Sequence, residues 1–344
     1  MSMTQIVLMN DTDAGGQHFG CARVMSTLRA ALGRSETHQI TSIAVGTAWH
    51  KDADLTRQIA QADILVVNGE GTLHHGKRRG KWLLEAASHA RRHGARTYLL
   101  NALWQDNPED WTPLVRQFDK IWCRDSRSAA RLSEIRDEPV GWIGDLSMCG
   151  TGLERAPTGR SGIIIGDSVI SGISRQLDSL SRQVPGPVTL IPLLTQKKFI
   201  APDLQGLRRH LRIGLSRMAT WRAKRANPHL RFLPSEQAYT EAVSRAALSV
   251  TGRFHAVCIA VTTRTPFVAI SSNSHKIAAL IDDLGLDQKR LVAPEALNAH
   301  MLTQQDWGYS PLELERIEAR LAQWRAEAQA MFAEITAGPA RHRN

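Results

Sequence analysis

An α/β fold made of two similar parallel-sheet halves is predicted by three features of the chain. Apolar runs of strand length alternate with segments of helical periodicity. Several runs end abruptly in glycine and charged residues, and the whole pattern restarts after a Gly, Pro and Ser-rich stretch at 151–161 that reads as a linker. Strands alternating with helices at this spacing give a parallel sheet covered on both faces, and such sheets bind ligands beyond the carboxyl ends of their strands. With 344 residues, 42 % of them apolar, the chain is long enough for two domains, each with its own core.

In the first half, strands are predicted at Gln5–Met9, Ile64–Asn68, Thr97–Asn101, Lys120–Cys123 and Val140–Ile143. Helices are predicted over Ala22–Leu32, Lys81–His93 and Ser126–Glu134. The second half predicts strands at Gly162–Ile165, Val188–Pro192, Leu230–Leu233, Leu248–Thr251, Pro266–Ile270 and Arg290–Ala293. Ser310-Pro-Leu-Glu313 is a capping box with proline at the first helical position. It opens a helix to about Thr336 whose Leu314, Ile317, Leu321, Trp324 and Phe332 form one apolar stripe. The expected division is an N-terminal domain over 1–155, a C-terminal domain over 160–305 and a terminal helix over 310–336 packing back on them, with a frayed tail GPARHRN.

The formal charge of +10 favours anionic partners. Much of the excess lies in 197–231, where ten Lys/Arg stand against Asp203 alone. Leu207, Leu211, Leu215, Met218 and Trp221 recur there at spacings of three and four, which predicts an amphipathic helix with a basic outer face. A solvated surface and a peripheral contact with the inner face of a membrane both fit that pattern. Nucleic acid is not expected, because no zinc finger, aromatic RNA-binding motif or helix-turn-helix accompanies the charge. The four cysteines lie far apart with no C-x-x-C, so neither a structural zinc nor a disulfide framework is expected. No apolar run approaches the ~20 residues of a membrane span, and MSMTQIVLMNDTD lacks the basic start of a secretory signal, so a cytoplasmic location is expected.

The polar residues immediately after the apolar runs are the candidate site. After the first run, Asn10-Asp-Thr-Asp-Ala-Gly-Gly-Gln-His-Phe-Gly20 offers Asp11 and Asp13 to a hydroxyl-bearing substrate, or as helix caps; its glycines allow close backbone approach but do not form a dinucleotide fingerprint. After the second run, Asn68-Gly69-Glu70 puts a carboxylate between two glycines, on what reads as exposed and tightly bent backbone. The adjacent His74 and His75 diverge at a helix start, so they do not read as a metal pair. Arg124 stands at the entrance of the helix after Lys120–Cys123, suited to an oxyanion or to a structural acid; Gly144-Asp145 reads as a strand-ending turn. The stretch TGRFHAVCIAVTTRTPFVAISSNSHK, 251–276, is the most concentrated. Gly252 allows a turn, Arg253 and His255 open a helix of small residues, and His275 and Lys276 follow the next strand, which collects cationic donors as an anionic ligand requires.

Four segments carry a resemblance: ADILVVNGEGTLH, WCRDSRS at 122–128, GRFH at 252–255, and TPFVAISSNSHKI at 265–277 followed by Leu-Gly-Leu at 284–286. In that order they resemble the polysaccharide pyruvyl transferase family, whose members transfer pyruvate from phosphoenolpyruvate to sugars as a cyclic ketal. The resemblance implies two Rossmann-like domains facing across a cleft, as in GT-B glycosyltransferases, with a C-terminal helix. It implies phosphoenolpyruvate as donor and a saccharide or lipid-linked saccharide as acceptor, with no redox cofactor and no metal. It implies donor binding by Arg124, Arg253 and Lys276, with His255 as general acid and Asp11 or Glu70 accepting a hydroxyl proton. Asn68, Gly69, Asp13 and His275 complete the expected substrate contacts; His275 precedes the lysine where the family often has Tyr-Asp. A GT-B glycosyltransferase using a nucleotide sugar remains the alternative, although Glu236 and Glu241 lack the E-x7-E spacing frequent in its retaining members. A basic scaffold without catalysis is a third reading.

Overall fold

The computed structural model describes residues 3–16, 18–150, 159–195, 206–271 and 273–337. Most of the expected linker, the first part of the basic segment 197–231 and the terminal tail lie outside the described residues. The chain divides into two compact units. The first comprises Met1–Ala14, Val24–Gly150 and Leu321–Asn344; the second comprises Gly15–Arg23 and Thr151–Arg320.

The first unit holds a six-stranded sheet of β1 (Thr4–Asp11), β2 (His38–Ala44), β3 (Ile64–Asn68), β4 (Arg96–Ala102), β5 (Lys120–Cys123) and β6 (Val140–Trp142) in the order β2-β1-β3-β4-β5-β6. All five pairings are parallel. Every residue of β3 is buried, as a central parallel strand covered on both faces demands. The sequence reading missed β2, HQITSIA, because this edge strand alternates polar and apolar residues and buries only Ile43.

The second unit repeats the design with β7 (Ile163–Ser168), β8 (Val188–Leu190), β9 (Leu248–Gly252), β10 (Phe267–Ile270) and β11 (Leu291–Val292), ordered β8-β7-β9-β10-β11 and again parallel in all four pairings. The strand expected at Leu230–Leu233 is not one. It touches the sheet through a single bridge, Leu190 to Leu230, and Pro234, which has no N–H, follows directly. Helix Phe254–Thr262 is buried at all nine positions, and its small residues let it lie close against β9 and β10.

The expectation for the basic helix is corrected. Helix Gly206–Ala226 forms, but Leu211, Leu215, Met218 and Trp221 face outward, while Ile213, Ser216, Thr220 and Ala223 make up its half-buried face. The terminal helix spans Pro311–Ala337, its first ten residues grouped with the second unit and the rest with the first. Ile317, Leu321, Trp324 and Phe332 are buried as the stripe predicts, whereas Leu314 is exposed. Gly144 makes room for Trp324: a Cβ there would lie 2.2 Å from the indole.

The capping box closes on both sides. Ser310 N–H donates to Glu313 Oε2 at 2.9 Å, and Glu313 N–H donates to Ser310 Oγ at 3.2 Å. Glu313 also receives the fully buried Arg290 through Nε at 3.0 Å and Nη2 at 3.1 Å, while Arg290 donates to the carbonyls of Trp307 and Gly308 and lies over the Tyr309 ring at 4.2 Å. Burial alone would raise the Glu313 pKa, but the hydrogen bonds from Arg290, Ser310 and Asp287 outweigh it and hold the carboxyl at about 2. A carboxyl depressed on folding contributes stability that is full above its unfolded value and is lost as pH falls through the folded one. Glu313→Gln is therefore expected to lower unfolding free energy at pH 7 by about 2–3 kcal/mol, and to flatten the loss of stability between about pH 4.5 and pH 2, read by urea titrations across that range.

Candidate functional site

Both sheets change direction at one place, the first between β1 and β3 and the second between β7 and β9. In open parallel sheets this switch point opens a crevice at the carboxyl edge. Most of the candidate residues stand at these two points.

In the first unit, Asn10 takes a left-handed backbone conformation (φ 66°) where the β1 register shifts, a conformation asparagine tolerates better than most residues. Its Nδ2 donates to the Asn68 carbonyl at 2.7 Å and to Thr72 Oγ1 at 3.1 Å, tying the exits of β1 and β3 together. Glu70 is buried rather than exposed, which corrects the sequence expectation. Its Oε2 accepts from Thr12 Oγ1 at 2.7 Å and from Asn68 Nδ2 at 3.4 Å. Asp11 is buried and paired with Arg29 at 2.5 Å, and it accepts from Asp13 N–H; Asp13 lies 3.6 Å from the same guanidinium. Gly69 is required by packing, since a Cβ would sit 2.6 Å from the Ala102 Cα on β4.

Arg124 is buried at the exit of β5, with Nη1 3.5 Å from the equally buried Asp145. Asp145 is therefore more than a turn residue, for it holds Arg124 and caps the short helix after β6 through Ser147 N–H. The rings of His74 and His75 do not diverge as the sequence predicts but meet edge-on, 4.9 Å between centroids, and only their polar partners differ. His74 Nε2 approaches the Gly71 carbonyl and Lys77, while His75 turns to Asp106.

In the second unit, Arg253 is the N-cap residue of helix Phe254–Thr262 and His255 its second residue, both buried. Asp167, at the exit of β7, receives Arg253 Nε at 2.9 Å and Nη2 at 2.5 Å on one oxygen, and its other oxygen accepts from Leu193 N–H at 3.0 Å. Among the described residues, no acceptor engages Arg253 Nη1. Gly252 serves close approach rather than a turn, because a Cβ would meet Ser168 at 2.7 Å. Tyr239 packs against Phe19 beneath this cluster, and burial, then the nearby Asp167 charge, push its phenol far up, so it stays protonated.

His18, which the sequence does not single out, and Gly20, one of the glycines expected to allow close approach, complete the surroundings of His255. His18 meets it edge-on at a ring separation of 5.4 Å, and Gly20 leaves the space it occupies, since a Cβ there would lie 2.2 Å from the His255 Cβ. His18, Cys21 and His255 have ligand atoms within 4.8 Å of one another, the one group among the described residues spaced to hold a metal ion. His18 and Gly20 lie in the glycine-bearing stretch after β1, and Asp167 lies near the end of β7, two residues beyond the Ile165 at which the sequence predicts the strand to stop. Lys276 begins helix Lys276–Asp283, with Nζ 3.4 Å from Asn273 Oδ1, and His275 is its N-cap. Both lie beyond β10, one strand away from the switch point.

A family model for polysaccharide pyruvyl transferase matches residues 28–274. The chain belongs to this family. No curated protein sequence matches it. Among solved structures it is similar to the sucrose-phosphate synthase of Thermosynechococcus elongatus, with TM-score 0.57, 12 % identity, and 97 % of this chain and 99 % of that chain covered. It is also similar to the UDP-GlcNAc 2-epimerase of Neisseria meningitidis bound to UDP-GlcNAc, with TM-score 0.51, 10 % identity, and 97 % and 100 % coverage. At such identities the likeness is one of fold, the pair of Rossmann-like domains that the sequence predicts.

Two substitutions test the His255 surroundings. Gly20→Ala must displace the imidazole or the helix start and is expected to cost about 1–3 kcal/mol as overpacking. Asp167→Ala strands a buried guanidinium and is expected to cost about 3 kcal/mol. Both are read by chemical denaturation, and unchanged midpoints would show that neither contact constrains the site.

Proposed function

We propose that this pyruvyl transferase family member uses phosphoenolpyruvate as donor and joins its pyruvate to a sugar of a surface polysaccharide, or to a lipid-linked precursor, as a ketal. The observation that carries the reading is the uncommitted Nη1 edge of Arg253, beside a buried histidine at a helix N-terminus. Asp167 fixes the guanidinium in place, so its remaining donor edge is preorganised for an oxyanion. The positive end of helix Phe254–Thr262 adds to that preference.

In this mechanism Arg253 and the helix end hold the donor's phosphate or carboxylate, and Lys276 and Arg124 supply further positive charge. His255 gives its proton to the methylene carbon of the enol, which makes the adjacent carbon electrophilic. A sugar hydroxyl attacks that carbon and yields its proton to a carboxylate. The carboxylates for this step are Asp11, which pairs with Arg29, and Glu70, which accepts from Thr12 and Asn68. The C–O bond to phosphate then breaks, phosphate departs, and a second hydroxyl of the same sugar closes the ring with loss of its proton. The reaction moves protons and a phosphate leaving group without net oxidation, so its balance calls for no redox cofactor. Positioned proton transfer of this kind contributes on the order of 100- to 10,000-fold.

His255→Ala is expected to reduce phosphate release from phosphoenolpyruvate by at least ~100-fold while leaving the unfolding midpoint near that of the parent; near-normal turnover would sink the assignment. A thermal-shift comparison tests the donor itself. Phosphoenolpyruvate is expected to raise the midpoint, and Arg253→Lys to abolish the shift. Stabilisation by nucleotide sugars alone would transfer the assignment to a glycosyltransferase.

A further inference from the structure

Helix Gly206–Ala226 carries its polarity the wrong way round for a helix that serves only a core. A surface helix normally turns its large apolar residues inward and its charges outward. Here the half-buried positions Ile213, Ser216, Thr220 and Ala223 recur at intervals of three and four, and of these Ala223 packs against the core of the second unit. The large apolar residues lie on another face. Leu211 and Leu215 are each 60 % exposed, Met218 46 % and Trp221 58 %.

The charge around this stripe is of one sign. The helix has seven Lys/Arg and no Asp or Glu. Arg217, Arg222, Lys224 and Arg225 are all exposed, and the Arg225 guanidinium lies 5.4 Å from the centre of the Trp221 ring. A continuous apolar stripe edged by cations, with an indole among them, matches a bilayer interface, where acyl chains take the stripe, anionic headgroups take the arginines and tryptophan sits between. A protein partner or a free polyanion satisfies one of the two chemistries less well: polyanions leave the apolar residues in water, and a second copy of this face brings like charges together. No described helix is long and apolar enough to cross a membrane, so this helix would lie in the plane of the surface, covering about 30 Å.

We infer that helix Gly206–Ala226 docks the protein on a membrane surface rich in anionic lipid, through the Leu211–Leu215–Met218–Trp221 stripe and its flanking basic residues. The inference stands apart from the reaction, because none of these residues belongs to the candidate site.

The test is flotation of the full chain with phosphatidylcholine vesicles, with and without one-third phosphatidylglycerol. The parent is expected to float with the anionic vesicles and to be released by salt. Leu215→Ser combined with Trp221→Ser should abolish flotation, and each of Arg217→Glu and Arg222→Glu should weaken it roughly fivefold or more. Phosphate release from phosphoenolpyruvate with a soluble acceptor should be unaltered in all of these variants, so the docking and the donor assignment can fail separately. Three results would overturn the inference: no preference for anionic vesicles, equal flotation of the Leu215/Trp221 double variant, or a parent oligomer in solution that this double variant dissociates.

Discussion

A parallel strand covered on both faces has no side at which to display a polar group. β3 and β9 are buried along their whole lengths, so the chemistry these sheets carry is pushed to the carboxyl edge. There, buried charge meets a second constraint, because an unpaired guanidinium or carboxylate is too costly to keep. Each unit answers with fixed pairs, Asp11 with Arg29 and Arg124 with Asp145 in the first, Arg253 with Asp167 in the second. Arg253 keeps Nη1 because Asp167 takes Nε and Nη2.

The strand–helix alternation was legible because central parallel strands must be uniformly apolar, and the strand-exit rule then located Asp11, Asn68, Glu70, Arg124, Arg253 and His255. What escaped were relations between segments far apart in sequence. Asp167 and Asp145 look like ordinary turn residues until the fold brings arginines to them. His18 and Gly20 gain meaning only from their distance to His255, 235 or more positions away in the chain. Edge strand β2 was missed for want of buried residues, and the periodicity of helix Gly206–Ala226 gave the stripe but not which way it faces.

Family and fold speak to different questions here. The two-domain architecture is shared with enzymes named for sucrose phosphate and UDP-GlcNAc chemistry, so architecture alone does not select a donor. What distinguishes the switch point of the second unit is its own set of groups, a fixed guanidinium, an imidazole and a helix end.

Neither unit is one continuous piece of chain. Residues Gly15–Arg23, which follow the first strand of one unit, belong to the other, and the terminal helix is shared out in the same manner. A gene fragment starting near residue 159 would lack the Phe19–Tyr239 ring contact, the Arg23–Glu236 ion pair and the backbone bond from Phe19 to Leu193. The halves are consequently poor candidates for separate expression or for swapping between relatives. Recombination within this architecture would have to carry the early turn along with the later domain it helps to build.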